Sequence, residues 1–289
     1  MSRRALWRAL FTLACTCTGL ASYAQDEGTG KPPFITTPTN VADRMLAIAG
    51  TGPADLVVDL GSGDGRIAIA AASKYGARAI GLELDPKLVQ ISRDNAQAAG
   101  VAGRTAFHVA DVLKADFSSA TVVTAYLLPW LLARLGNTFL YDLKPGSRIV
   151  THAFKLSGWQ PDRSETIAVA APDPKAGVET TIHMWTVPAQ ARGEWRASTS
   201  EGEWHLAVRQ NFQEIDIAGT ALGQALRIEP TRMDGDRIAF TGRLPDGDTV
   251  VRFAGRVQSG LIAGTATLER AGVARSLPLT LSRQAAPRP

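Results

Sequence analysis

Two architectures follow one another in this chain. The first is α/β, built on a doubly wound parallel sheet. The second is an all-β antiparallel C-terminal domain, closed as a barrel or folded as a sandwich. Three observations predict this. Strand and helix patterns alternate with short loops up to about residue 190. Residues 57–72, VVDLGSGDGRIAIAAA, read as a strand, a glycine turn and a helix. Beyond residue 190 the helical period disappears, and short alternating runs divided by turn signals replace it.

The elements follow in order. Thr37-Pro38-Thr39 opens a helical pattern over Val41–Ala49, stopped by Gly50 with Gly52-Pro53 beyond. Leu56–Leu60 is an apolar run of the buried-strand type, and Arg66–Tyr75 is helical. Ala79–Leu84 is the next strand. Pro86–Ala99 is the next helix, with proline in its first turn and Gly100 at its end. Thr105–Val109 and Thr121–Ala125 are strands, Leu128–Leu143 is a helix halted before Pro145-Gly146, and Ser147–Phe154 is a strand. Thr166–Ala170 and Thr180–Val187 form a hairpin at the sheet edge. In the second part the alternating runs are Trp204–Phe212, Glu214–Thr220, Leu226–Met233, Arg237–Arg243, Thr249–Val257, Leu261–Leu268 and Ala274–Leu281. Asp234-Gly235, Pro245-Asp246-Gly247, Ser259-Gly260 and Ala271-Gly272 mark turns between them. The segment IAGTA occurs twice, at 217–221 and 262–266, a weak sign of duplication.

The first 24 residues have another character. Arg3, Arg4 and Arg8 lead into an uncharged run from Ala9 to Ala24 that ends in Ser22-Tyr23-Ala24. This is the layout of a secretory signal peptide, with cleavage expected after Ala24. The run is shorter than the roughly 20 residues a spanning helix needs. The expected location is periplasmic or secreted. The alternative is a membrane anchor through an uncleaved segment, the chain's sole expected membrane contact. The domains are then 1–24 signal, 25–190 α/β and 191–285 β. Cys15 and Cys17, the chain's 2 cysteines, lie in the leader. The mature chain therefore has no disulfide, thiolate metal site or cysteine nucleophile. Losing the three arginines from 31 basic residues leaves 28 against 27 acidic ones, so the net charge falls from +4 to +1. With no basic run, nucleic acid is not an expected partner. No His and carboxylate spacing suggests a metal.

The glycine turn carries the chemistry. Its spacing is G-x-G-x-G over Gly61, Gly63 and Gly65, with Asp59 two residues before the first glycine. A pyrophosphate gains little from that carboxylate, and a cationic ligand gains more. S-adenosylmethionine carries an ammonium and a sulfonium and no phosphate. Glu83 closes the second strand, where an acid accepts ribose hydroxyls, and Asp111 follows the third, within reach of an adenine amino group. Three acids at three successive strand ends line one crevice, where open α/β sheets bind ligands.

The segments PFITTP (33–38), VVDLGSGDGRIAIAAA (57–72), GLELDP (81–86), HVADVL (108–113), TAYLLPWL (124–131) and LKPGSRIVTHAF (143–154) resemble the class I S-adenosylmethionine-dependent methyltransferases, with their Rossmann-like sheet. The likeness is to a bacterial branch akin to small lysine methyltransferases and covers roughly residues 33–190. The resemblance implies that Gly61, Gly63 and Gly65 pass close to the methionine part of the cofactor. Asp59 would hold its ammonium, Glu83 its ribose and Asp111 its adenine. The segment Phe34–Pro38, with Thr37, would close over the site, and Tyr126, Leu127 and the residues to Pro129 would lie beside the methyl. Such relatives often place an acid between the Phe and Trp of the following loop. Here Lys155 lies between Phe154 and Trp159.

Methyl transfer from a sulfonium is an in-line displacement, so the protein supplies alignment and desolvation and a base only where the acceptor needs one. His152, at a strand end on the ligand edge, is the candidate base or else a packing histidine. Tyr126 contacts the methyl or orders the acceptor, or else is a buried aromatic. His108 reads as structural; His183 and His205 lie outside the cofactor half. The acceptor, a protein or a small molecule, is not fixed by the residues; protein lysine follows from the relatives alone. An exported chain also admits a second function. In that reading it is a non-catalytic binding module that uses the crevice, or the β domain, for a ligand or envelope partner.

Overall fold

The computed structural model describes residues 35–170 and 178–284. The expected signal segment and Phe34 lie outside them. In the first sheet β1 (Leu56–Leu60), β2 (Arg78–Glu83), β3 (Thr105–Val109), β4 (Val122–Ala125) and β5 (Arg148–His152) run parallel. The hairpin of β6 (Arg163–Ala168) and β7 (Glu179–Thr186) adds to β5 antiparallel. The order is β3-β2-β1-β4-β5-β7-β6. Strand direction of progress reverses between β1 and β4, and that switch point opens a crevice at the carboxyl ends of the strands.

Alternation along each strand sorts side chains by face. Val57, Val122 and Val150 pack under α1 (Thr39–Ile48), α2 (Arg66–Tyr75) and α3 (Pro86–Ala98). Val58, Val123 and Ile149 face the other way, toward Leu132, Leu135 and Phe139 of α4 (Pro129–Tyr141). That second face has only this helix among the described residues, because the connections 110–121 and 153–162 contain none. Phe117, Leu156 and Trp159 fill the space, joined by Phe212 from the second sheet.

The second sheet comprises β8 (Gly193–Thr199), β9 (Gly202–Asn211), β10 (Glu214–Ala221), β11 (Gln224–Ile228), β12 (Thr231–Arg232), β13 (Arg237–Arg243), β14 (Val250–Gln258), β15 (Leu261–Arg270) and β16 (Val273–Arg283). β10 pairs with both β9 and β11, and β16 returns to pair with β8. The meander is therefore a closed barrel of eight strands, with short β12 hung on β10. An even number of strands lets the last meet the first antiparallel, and closure removes the exposed edges. A barrel of this size is filled by its own side chains. Trp195, Trp204, Leu206, Phe240, Phe253 and Leu281 form that core.

The repeated IAGTA has a physical reason here. Its glycines, Gly219 in β10 and Gly264 in β15, lie where an added Cβ would stand 1.9 Å from His205 O and 2.2 Å from Ala254 O. Both copies solve the same problem of close strand approach in a small barrel. The periodicity missed β8, because in GEWRAST only Trp195 and Ala197 pack inward. The run Leu226–Met233 is split into β11 and β12, with Pro230 between. The strand expected to reach Phe154 ends at His152, because Ala153 turns to φ 66°.

Candidate active site

The turn between β1 and α2 is held from below and from outside. All three glycines are left-handed, with φ of 74° at Gly61, 54° at Gly63 and 83° at Gly65. An added Cβ at Gly61 would lie 2.9 Å from the Leu127 side chain, and one at Gly65 would lie 2.9 Å from both Phe107 and Ser92. Gly61 and Ser62 donate their amides to Leu82 O, Gly65 donates to Ser62 O, and Gly63 donates to Glu83 Oε2 at 3.0 Å. These four amides are spent within the protein. A phosphate would need such donors free, so these four do not serve one. The opposite side of the turn is tied to α3: Ser92 Oγ donates to Gly63 O at 2.8 Å, and Asn95 Nδ2 to Asp64 O at 3.0 Å.

The acids stand at the strand ends. Asp59 is 2% exposed and accepts a hydrogen bond from Thr124 Oγ1 at 2.7 Å. Burial pushes its pKa up to about 7 against that bond, and the nearby charges of Glu83 and Asp64 push the same way. Glu83 accepts from the amides of Gly63 and of Asp85, at 3.0 and 2.9 Å, so one carboxylate fixes both the turn and the end of β2. Asp111 lies two residues beyond β3; it accepts from Leu113 N at 3.0 Å and lies 3.5 Å from Lys114 Nζ. Thr37 is buried, and its carbonyl accepts from Arg66 Nη1 at 2.8 Å. Arg66 in turn pairs with Asp64 at 2.6 Å. Arg66, Asp64, Thr124, Ser92 and Asn95 were not legible as site residues. Arg66 directly follows the last glycine, where a first-turn side chain can reach the entering chain. That position was the available signal.

Tyr126 follows β4 and meets the end of β5. Its ring lies 4.0 Å from that of His152 and 6.5 Å from that of Phe154, the latter stacked at 19°. His152 is 5% exposed; its Nε2 is 3.0 Å from Thr180 Oγ1, and its Nδ1 has no hydrogen-bond partner. Burial pushes its pKa down to about 4, so the imidazole is neutral at physiological pH. His108, on β3, is exposed; the buried His183 bonds Ser164 on the edge hairpin, and His205 pairs with Glu194 on the barrel. Among the described residues no group of three His, Cys, Asp or Glu is placed to hold a metal. An open groove of about 810 Å³ on the barrel, lined by Arg192, Arg209, Glu214 and Arg232 among others, contains none of the crevice residues.

The structure thus joins Thr37, the glycine turn, Glu83 and Leu127 in one contact network, and Tyr126 with His152 in a second beside it. The family model described as the ANTKMT methyltransferase domain matches residues 59–163. A protein-lysine N-methyltransferase of Saccharolobus islandicus is 39% identical over 130 residues, which are 45% of this chain and 81% of that protein. The chain is a class I S-adenosylmethionine-dependent methyltransferase. The adenine nucleotide translocase lysine N-methyltransferase of Mus musculus is 35% identical over 45% of this chain, and only 56% of that protein is covered. A crystal structure of an RNA methyltransferase from Salinibacter ruber in complex with S-adenosyl-L-homocysteine is 43% identical; it covers 54% of this chain and 95% of that chain, at a TM-score of 0.49. The methyltransferase uses S-adenosylmethionine as its cofactor, and the residues present fit it. The turn has glycine at 61, 63 and 65, four of its amides are already bonded within the protein, and the acids complement a cation. The non-catalytic reading is not favoured.

Proposed function

We propose that the methyltransferase transfers a methyl group to the side-chain amine of a protein lysine. The observation that carries this reading is the 39% identity to the archaeal lysine methyltransferase over most of that protein's length. The mouse relative named for lysine methylation of adenine nucleotide translocase supports it. In this reading Asp59 faces the ammonium of the cofactor, Glu83 its ribose and Asp111 its adenine. Thr37 and Leu127 flank it, and Gly61, Gly63 and Gly65 let it approach the backbone.

When bound, the sulfonium supplies a methyl carbon already activated for displacement. The chain's own task is to align a neutral amine and exclude water. Tyr126, His152 and Phe154 bring aromatic surface without charge to the acceptor side. A histidine with a pKa of about 4 is a poor proton acceptor for an ammonium whose ordinary pKa is about 10.4. Deprotonation therefore precedes entry, and His152 positions Tyr126 rather than acting as the base. The test uses methyl-labelled S-adenosylmethionine and a pool of lysine-containing peptides, with the same pool acetylated at lysine as the control. Label confined to the free-lysine pool is expected. Equal labelling of both pools, or of neither, overturns the reading.

The arginine-led apolar segment at 3–24 supports export to the periplasm, or retention at the membrane through that segment. Fractionation of a C-terminally tagged chain checks this, and tag recovered only in the cytosol would refute it.

A further inference from the structure

The connection 153–162 joins the acceptor side to the barrel. At its start Ala153 adopts φ 66°, and Phe154 N donates to His152 O at 2.8 Å. This tight reversal costs on the order of 1–2 kcal/mol for a residue with a Cβ. It sets Phe154 against Tyr126. At its far end Trp159 is 2% exposed and lies flat on Phe212 of the barrel, 4.9 Å between rings at 7°.

Gln213 completes the attachment. Its Oε1 accepts from Trp159 Nε1 at 2.6 Å, and its Nε2 donates to Gln160 O at 2.8 Å and Asp162 Oδ1 at 3.1 Å. Arg232 of β12 adds an ion pair to Asp162 at 2.8 Å. Gln213 is as buried as Trp159, so its amide is committed to this loop and not to solvent.

The barrel side is built at a local cost. Asn211 and Glu214 pair in the β9–β10 ladder, so Phe212 and Gln213 form a two-residue turn. Phe212 has φ 54°, a conformation that hairpin turns ordinarily give to glycine or asparagine. A phenylalanine there gains the hairpin nothing. Its ring instead covers Trp159.

We propose that the barrel is a positioning element for methyl transfer: the β9–β10 turn, through Phe212 and Gln213, fixes Trp159 and thereby the loop that carries Phe154 to the acceptor. The loop has no helix of its own, and the barrel takes that structural place. Phe212 and Gln213 are positioning residues and touch neither cofactor nor acceptor. The inference rests on the proposed function in one respect, that Tyr126, His152 and Phe154 face the acceptor.

Hydrogen exchange on the full chain tests it, with Phe212→Gly and Gln213→Ala compared with wild type. Glycine suits the left-handed turn, so Phe212→Gly keeps the hairpin while removing the ring. Arg256→Ala, which removes an exposed ion pair to Asp236 elsewhere on the barrel, is the control. Amides from Phe154 to Gln160 exchange about tenfold faster in both test variants and not in the control. The KM for the peptide pool rises about fivefold, and the cofactor Kd stays within about twofold. Unchanged exchange at Phe154, or faster exchange there with unchanged kinetics, overturns the proposal. Should wild type label no peptide, the lysine reading fails, and exchange at Phe154 still decides whether the barrel holds the acceptor side. If Gln213→Ala does not fold, Phe212→Gly alone gives the answer.

Discussion

The regions proposed above as the cofactor side and the acceptor side of the crevice are neighbours built by opposite means. The cofactor side is built around one turn, Gly61 to Gly65, and the end of the strand beside it. Three of its turn amides bond to the adjacent strand, and its outer carbonyls bond to α3. Its left-handed positions are all glycine. The acceptor side is assembled from the ends of β4 and β5, the edge hairpin and the barrel. It contains a left-handed alanine, a buried imidazole with one unpartnered nitrogen, and a loop anchored more than fifty residues away in sequence at Phe212 and Gln213. The contrast teaches where tolerance lies. In the first region the left-handed backbone falls on glycines, which take it without strain. The second is held by a few long-range contacts that outweigh local preferences.

The largest effect that would break this contrast falls on Gly65. In Gly65→Ala the new Cβ meets Phe107 and Ser92, and the backbone stays at φ 83°. A loss of about 3 kcal/mol of stability is expected from the left-handed penalty plus overpacking. Gly146→Ala is the comparison: its φ is 91°, but nothing lies within 4 Å of the added Cβ. It loses only about 1 kcal/mol. Chemical denaturation of both variants measures the difference. Equal losses would mean that the turn is no tighter than an ordinary loop.

Next comes Glu83. Alanine there leaves the amides of Gly63 and Asp85 without their acceptor and removes the ribose partner proposed above. Cofactor affinity falls by about a hundredfold or more, since bonds to a charged group contribute about 1.5–3 kcal/mol each. Calorimetric titration of the full chain checks this. A Glu83→Ala protein that binds normally would sever the glycine turn from cofactor recognition.

The same contrast explains what was legible. The parallel sheet, the glycine turn and the positions of Asp59, Glu83 and Asp111 follow from period and spacing, because each is fixed by neighbours in the chain. Thr124 could not be seen as the partner of Asp59, since the bond crosses from β1 to β4 and a threonine in a strand carries no signal. Barrel closure was also hidden. It depends on β8, whose sequence shows only two inward apolar residues, pairing with a strand some ninety positions later. The early end of β5 was invisible because nothing in His152-Ala153-Phe154 announces a left-handed alanine; its strain is carried by distant contacts.

Asp59 gives a pH signature confined to the cofactor side. Its pKa in the fold, about 7, stands above the 3.8 of the free side chain, so ionisation opposes folding. Stability of the cofactor-free protein from this group falls as pH rises from about 4 to about 7. A cation favours the ionised form, so cofactor affinity rises by up to about tenfold per pH unit below 7 and then levels off. Asp59→Asn keeps an acceptor for Thr124, melts higher at pH 8 without cofactor, and loses the pH dependence of binding. A pH-independent wild-type affinity would show that no cationic group of the cofactor faces Asp59.

His152 gives the smallest effect and the sharpest reading of the acceptor side. Its pKa in the fold, about 4, lies below the free value of 6.5, so protonation opposes folding. The stability it contributes is present above about pH 6.5 and is lost as pH falls toward 4. Phenylalanine fills much the same space against Tyr126 and removes that acid-sensitive component. If His152 only positions Tyr126, His152→Phe lowers kcat by less than about tenfold and leaves the alkaline limb of the rate profile in place, because the proton leaves the amine before entry. General-base catalysis contributes about 10²–10⁴-fold, so a loss of that size, with the alkaline limb abolished, would make His152 the base and give the acceptor side a chemical step of its own.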